Sequence, residues 1–290
     1  MTVIFGLFTI LLALLTALLA FSASLFALAV ILSFAIAWYE RVNDDPAVAA
    51  QRRHALAIRL LITEFAALLL TLLLRPLGWL PPRIPQGPSR QPPVILLHGL
   101  FQNRSSMLVL AWRLRRAGFD RVITINTPAW LDLETLTDRL HQAVDAVRAA
   151  TGAGQVHLVG HSMGGIIVRN YLQSGGGGLQ VANCVTLGSP HRGSKLAPFA
   201  VSRLGRSLLP GSPLLARLNA APLPAGVRFT ALYSRHDNIV VPMESARLEG
   251  AENIELAETG HTGMLFSPRA ARAVAKALLT PHPSPRTESP

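Results

Sequence analysis

From Val94 onward the chain alternates short, almost wholly apolar runs with longer stretches of helical period, and this alternation constrains the fold more than any other feature. The apolar runs are "VILLH" (94–98), "RVITIN" (121–126), "VHLVG" (156–160), "VANCVTLG" (181–188), "RFTALYS" (228–234) and "ENIELA" (252–257). Between and after them, residues 105–117, 131–150, 163–173 and 268–279 carry the spacing of helices. Strands that are apolar on both sides belong in a sheet covered on both faces, which is the signature of parallel strands joined by helical crossovers. The expected class is α/β, a mostly parallel sheet with helices on both faces. In such sheets ligands bind beyond the carboxyl ends of the strands, so the loops that follow strands are where chemistry is expected.

The first eighty residues are of another kind. No charge occurs between Val3 and Tyr39, and about 20 apolar residues suffice to cross the hydrocarbon core of a bilayer. A cleaved signal peptide is the alternative, but it would have a basic start and an apolar stretch of only about 7 to 15 residues. Residues 55–80 form a second candidate span, interrupted by Arg59, Glu64 and Arg75. Its fourteen Leu, Ile and Phe residues, at about −0.5 kcal/mol each, outweigh a cost of about 3 kcal/mol for Glu64. The competing reading is a helix lying on the membrane surface or packed on the globular domain. With Arg41, Arg52 and Arg53 between the segments, two crossings would leave the intervening loop cytoplasmic and the remainder extracytoplasmic, although Arg75, Arg83 and Arg90 pull the other way. The expected organisation is a two-helix transmembrane anchor over 1–80, a linker over 81–92, a catalytic domain over 93–279 and a disordered tail over 280–290. The linker follows from six prolines within Pro81–Pro93, and the tail from its proline-rich composition.

The formal charge is +11, carried almost wholly by arginine, which fits an anionic membrane surface. No helix-turn-helix spacing, zinc-ligand pair or arginine run interleaved with aromatics appears, so no nucleic-acid partner is expected. The lone cysteine, Cys184, lies in an apolar strand and reads as a buried thiol.

The candidate site begins at "GHSMG", Gly160 to Gly164, between the third strand and the helix that follows. A serine nucleophile occupies such a sharp strand-to-helix turn in a strained backbone conformation, and the glycines let strand and helix pass closely. Ser162 is the expected nucleophile. After the first strand, Gly99 allows a turn that aims the N–H of Leu100 at the same point as the N–H of Met163, giving two donors for an oxyanion. His261, in a glycine-flanked loop after the last strand, is the expected base, and Asp237, after "RFTALYS", the acid that orients it. Glu244 and Glu249 compete for the acid's role but would have to reach back. His98 reads as a support of the Leu100 loop, His161 and His157 as packing residues, His191 as a loop brace and His236 as facing solvent. Residues 195–224, apolar and broken by prolines, read as a small cap, with Phe199, Leu204, Leu208 and Leu215 joining Phe101 around an acyl chain. The competing reading is a pair of core helices that never touch substrate.

With "VILLHGL", "HLVGHSMGG", "LGSPHRGS", "YSRHDNIV" and "GHTGMLFSP" in place, the chain resembles bacterial triacylglycerol lipases and serine esterases of the alpha/beta-hydrolase fold over about 93–279. The resemblance implies that fold, a Ser162–Asp237–His261 triad and an oxyanion hole from Leu100 and Met163. Larger secreted members hold calcium through an aspartate soon after the histidine. Here Thr262, Gly263 and Met264 stand there, so neither calcium nor any cofactor is expected. The function expected is ester hydrolysis on a lipid substrate by an enzyme held in the membrane. The alternatives are acyl transfer by the same triad and a catalytically dead lipid-binding module.

Overall fold

The computed structural model describes residues 2–50, 54–174 and 176–281. Most of the expected tail therefore lies outside the described residues.

In chain order the elements are α1 (Thr2–Asp44), α2 (Ala47–Ala50), α3 (His54–Leu74), β1 (Val94–Leu97), α4 (Leu108–Arg116), β2 (Val122–Ile125), α5 (Leu133–Thr151), β3 (Val156–His161) and α6 (Met163–Ser174). There follow β4 (Val181–Leu187), α7 (Arg203–Arg206), α8 (Pro213–Ala220), β5 (Arg228–Tyr233), β6 (Glu252–Glu255), α9 (Gly263–Phe266) and α10 (Pro268–Leu279). The six strands form one sheet in the order β2-β1-β3-β4-β5-β6, and every neighbouring pair is parallel. Since each strand must be reached by a crossover, helices cover both faces. Met107, Leu110 and Leu114 pack on one face with Val274 and Leu278, and Leu136, Leu140, Ile166 and Val168 on the other.

Local chemistry explains the crossovers. On α5 the Asp132 side chain accepts the N–H of Thr135 at the start, and Gly152 takes a left-handed φ of 67° at the end. Between these caps Leu133, Leu136, Leu140, Val144 and Val147 are buried at helical spacing. Each such side chain stabilises the fold by roughly 1.5–3 kcal/mol on burial. The chain runs from β1 outward to β2 and then back past β1 to β3, so the strand order reverses there. In sheets of this kind, ligands bind at such a reversal, beyond the carboxyl ends of the strands on either side of it, here β1 and β3.

The amino-terminal helices are not set apart from the domain. α1 buries Val30, Ser33 and Ala37, spaced three and four residues apart on one face, while Leu11, Leu14, Leu18, Phe21 and Leu25 are exposed. α3 buries Leu60, Glu64 and Ala67, again a single stripe. Along α3 and the turn after it, Arg59 pairs with Glu258, Glu64 accepts the N–H groups of Thr262 and Gly263, and Arg75 donates to the carbonyl of Phe101. These contacts extend over roughly 24 Å of helix at 1.5 Å per residue. α3 is long and apolar enough to cross a membrane, and it also packs on the globular domain, where the buried Glu64 carboxylate finds its partners. The proline-rich segment after Leu80 has no helix or strand and is held to the domain, the Gly87 N–H donating to the Ala150 carbonyl and Ser89 Oγ to Asp120 Oδ1, both at 3.0 Å.

Candidate active site

β3 ends at His161, and the next residue, Ser162, stands at φ 54°, a left-handed conformation that costs a non-glycine residue of order 1 kcal/mol or more. Such strain persists only where the surroundings dictate it, and here they do. The Ser162 N–H donates to the Leu187 carbonyl at 2.8 Å, tying the turn to β4. A Cβ on Gly160 would lie 2.4 Å from the Gly165 nitrogen, and one on Gly164 would lie 2.6 Å from the Leu97 carbonyl oxygen. Strand, turn and helix thus meet backbone to backbone, which only glycine permits.

The residues expected to serve as acid and base are joined. Asp237, in the loop after β5, is fully enclosed, and its Oδ1 accepts the N–H groups of Ile239 and Val240 at 2.8 and 2.9 Å. Its Oδ2 accepts the Nδ1–H of His261 at 2.9 Å. That bond fixes the imidazole tautomer with its lone pair on Nε2, the form a general base requires. Burial pushes the His261 pKa down, but the Asp237 carboxylate, with Glu64 behind it, outweighs burial and holds it above its ordinary value near 6.5.

His161 lies against this pair, its ring 4.7 Å from that of His261 and its Nε2–H donating to the His261 carbonyl at 3.1 Å. Burial, with the neighbouring His261 charge, keeps it well below the usual histidine range and therefore neutral. Ser162 is thus one residue from a ring in contact with the base.

The N–H groups of Leu100 and Met163 make no hydrogen bond among the described residues, and Met163 is the first residue of α6, where the amides point outward. His98 braces the Leu100 loop by donating from Nδ1 to the Gly99 carbonyl at 2.8 Å and accepting the Thr127 N–H at Nε2, 2.9 Å away. Burial lowers its pKa to about 4, so it is a neutral support. His191 is buried between Thr186 and Arg169. His236 is half-buried beside the acid rather than facing solvent, and Glu244 and Glu249 are exposed.

The cap holds two short helices, α7 and α8. Phe199 is 76% exposed and Phe101 46%, so both can meet a substrate. Leu204, Leu208 and Leu215 are buried in the main core, where they support the cap instead of lining an open site. On α8, Leu215 and Leu218 stand three residues apart and turn the apolar side of the helix onto α6. Three contributors to the site were not foreseen: Glu64, Asn238, whose Oδ1 accepts the His261 N–H at 3.1 Å, and Ser33, which accepts from Asn238 Nδ2 at 2.8 Å.

Residues 92–238, half of the chain, match the family model described as alpha/beta hydrolase fold. A triacylglycerol lipase of Pseudarthrobacter phenanthrenivorans is 47% identical over 62 residues, 21% of this chain and 19% of the relative. One from Burkholderia plantarii is also 47% identical over 62 residues, 21% of this chain and 17% of the relative. The chain thus spans about a fifth of the length of the curated relatives it matches. Among solved structures, the mature form of a Bacillus licheniformis lipase superposes with a TM-score of 0.57 at 21% identity, covering 70% of this chain and 98% of that one. Aspergillus fumigatus lipase B superposes with a TM-score of 0.60 at 20% identity, covering 70% and 57%. At such identities these two likenesses speak for the fold, and with the family match they agree with the parallel sheet and the turn at Ser162. The chain belongs to the alpha/beta hydrolase fold family.

Proposed function

We propose that this protein is a membrane-anchored serine hydrolase that cleaves carboxylic esters, a lipase or esterase acting on acylglycerol or phospholipid-like substrates. The observation that carries the reading is the buried Asp237–His261 pair beside a serine held in a left-handed turn at the mouth of the sheet. Ser162 Oγ attacks the ester carbonyl carbon while His261 Nε2 takes its proton, and Asp237 stabilises the imidazolium. The oxyanion so formed accepts from the N–H groups of Leu100 and Met163, each worth a few kcal/mol. As the carbonyl reforms, the alkoxide leaves with the proton from His261. Water, deprotonated by the same imidazole, then releases the acid and frees Ser162.

Anchoring falls to α1. Its 43 residues extend about 64 Å, more than twice the hydrocarbon thickness, and its exposed apolar part precedes the docked stripe at Val30. Were α3 also to cross, the loops bonded along it, His261 included, would be carried into hydrocarbon. One crossing leaves the catalytic domain with Arg41, Arg59, Arg75 and Arg83, which the positive-inside rule assigns to the cytoplasm. We favour this single crossing over the two crossings expected from sequence, which would place the domain outside the cytoplasm. The outer face of α3 exposes Ile58, Ile62, Leu69 and Leu73, and the turn after it exposes Trp79, an apolar surface suited to lipid. Lipid presentation is tested by measuring rate against acyl-chain length for p-nitrophenyl esters with and without vesicles. Long chains and vesicles are expected to raise the rate, and a preference for short esters unaffected by vesicles counts against a lipid substrate.

A further inference from the structure

The loop that carries His261 is gripped by the amino-terminal helices. Glu64, near the middle of α3, is 1% exposed, and no arginine or lysine is paired with it among the described residues. Its Oε1 accepts the Thr262 N–H at 2.6 Å and its Oε2 accepts the Gly263 N–H at 2.9 Å. These are the two amides that follow the base in the chain; burial lifts the Glu64 pKa above its ordinary value, and the two N–H donors oppose that by favouring the ionised form. Before the base, a Cβ on Gly260 would lie 2.4 Å from Glu64 Oε2, so the carboxylate is pressed against the loop on both sides of His261. The His261 N–H itself donates to Asn238, which in turn donates to Ser33 of α1.

We propose that Glu64 is a positioning residue for the reaction set out above: from α3 it fixes the backbone on either side of His261 and places a second negative charge near the imidazole. The inference rests on His261 being the base. A carboxylate stripped of water in an apolar helix is costly, and the return is twofold. Two charge-assisted hydrogen bonds hold the imidazole within the narrow range in which proton transfer from Ser162 is efficient. The negative charge also favours the imidazolium that forms when Ser162 attacks. The titratable groups facing His261 are Asp237 at Nδ1, His161 across the ring contact and Glu64 behind the loop. Glu64 is the member of this set contributed from outside the alpha/beta domain, by α3, so the amino-terminal helices are a working part of the catalytic unit.

The test is Glu64→Gln in the full chain, purified in detergent and assayed with the soluble ester p-nitrophenyl butyrate across pH. The expected result is kcat lower by about ten- to a hundred-fold with KM little changed. The acid limb of kcat/KM should also move to lower pH, because a charge that favours the protonated imidazole is gone. Glu64→Asp, which keeps the charge, should restore the limb toward its wild-type position. If Glu64→Gln does not fold, Gly260→Ala serves, since its methyl group displaces the carboxylate from both amides, and the same losses are expected. A variant that is less heat-stable yet keeps wild-type kcat and acid limb makes Glu64 a structural contact only and overturns the proposal. A wild-type protein that hydrolyses no ester and takes no label at Ser162 overturns the proposed function itself, and this inference with it.

Discussion

The Nδ1 of His261 and the Oδ2 of Asp237 stand 2.9 Å apart, both sealed from solvent, although 24 positions separate them in sequence. One loop follows β5 and the other β6, adjacent parallel strands whose carboxyl ends open on the same edge of the sheet. The bond does two things: it fixes the tautomer and it raises the proton affinity of His261.

Both effects are measurable in Asp237→Asn. Because only the neutral imidazole accepts a proton from Ser162, kcat/KM should rise with pH through the His261 pKa, with a midpoint above the ordinary value near 6.5. Removing the carboxylate leaves burial to act alone, so the midpoint should fall below that value. The wrong tautomer should also lower kcat by on the order of 10³–10⁴. A pH–rate profile that keeps its midpoint in the variant contradicts the assignment of Asp237.

The close passage of β3, α6 and β1 gives a stability prediction. Gly160→Ala and Gly164→Ala each force a methyl group against backbone atoms that have no rotamer to escape into. A loss of roughly 3 kcal/mol is expected in chemical denaturation, the upper end of overpacking costs. Losses under about 0.5 kcal/mol would show that strand and helix stand further apart.

Topology offers a third. A reporter that is active only in the cytoplasm, fused after Leu279, should be active, and one that needs export should be silent. The reverse pattern would mean that α3 crosses the bilayer as well.

The fold was legible because its strands announce themselves as apolar runs of four to seven residues and its helices as caps and stripes. Pro268–Leu279 coincides with the expected span, and Val156–His161 leads into the turn at Ser162 as "VHLVGHSMG" suggests. That Asp237 and His261 follow strands was legible, and the structure adds that their side chains meet. What could not be read is what depends on contacts between distant segments. Glu64 was visible as a charge inside an apolar stretch, but the sequence shows only the cost of burying it and not the amides of Thr262 and Gly263 that accommodate it. Leu204, Leu208 and Leu215 have the same apolar character whether they face a substrate or the core, and packing decided for the core.

Labelling with a fluorophosphonate tests the central claim most directly, because the probe reacts only with a serine whose base, acid and oxyanion donors act together. Wild-type protein should gain one adduct, located by mass spectrometry on Ser162, and Ser162→Ala should gain none. An unlabelled wild-type protein, or an adduct that persists in Ser162→Ala, would contradict the account.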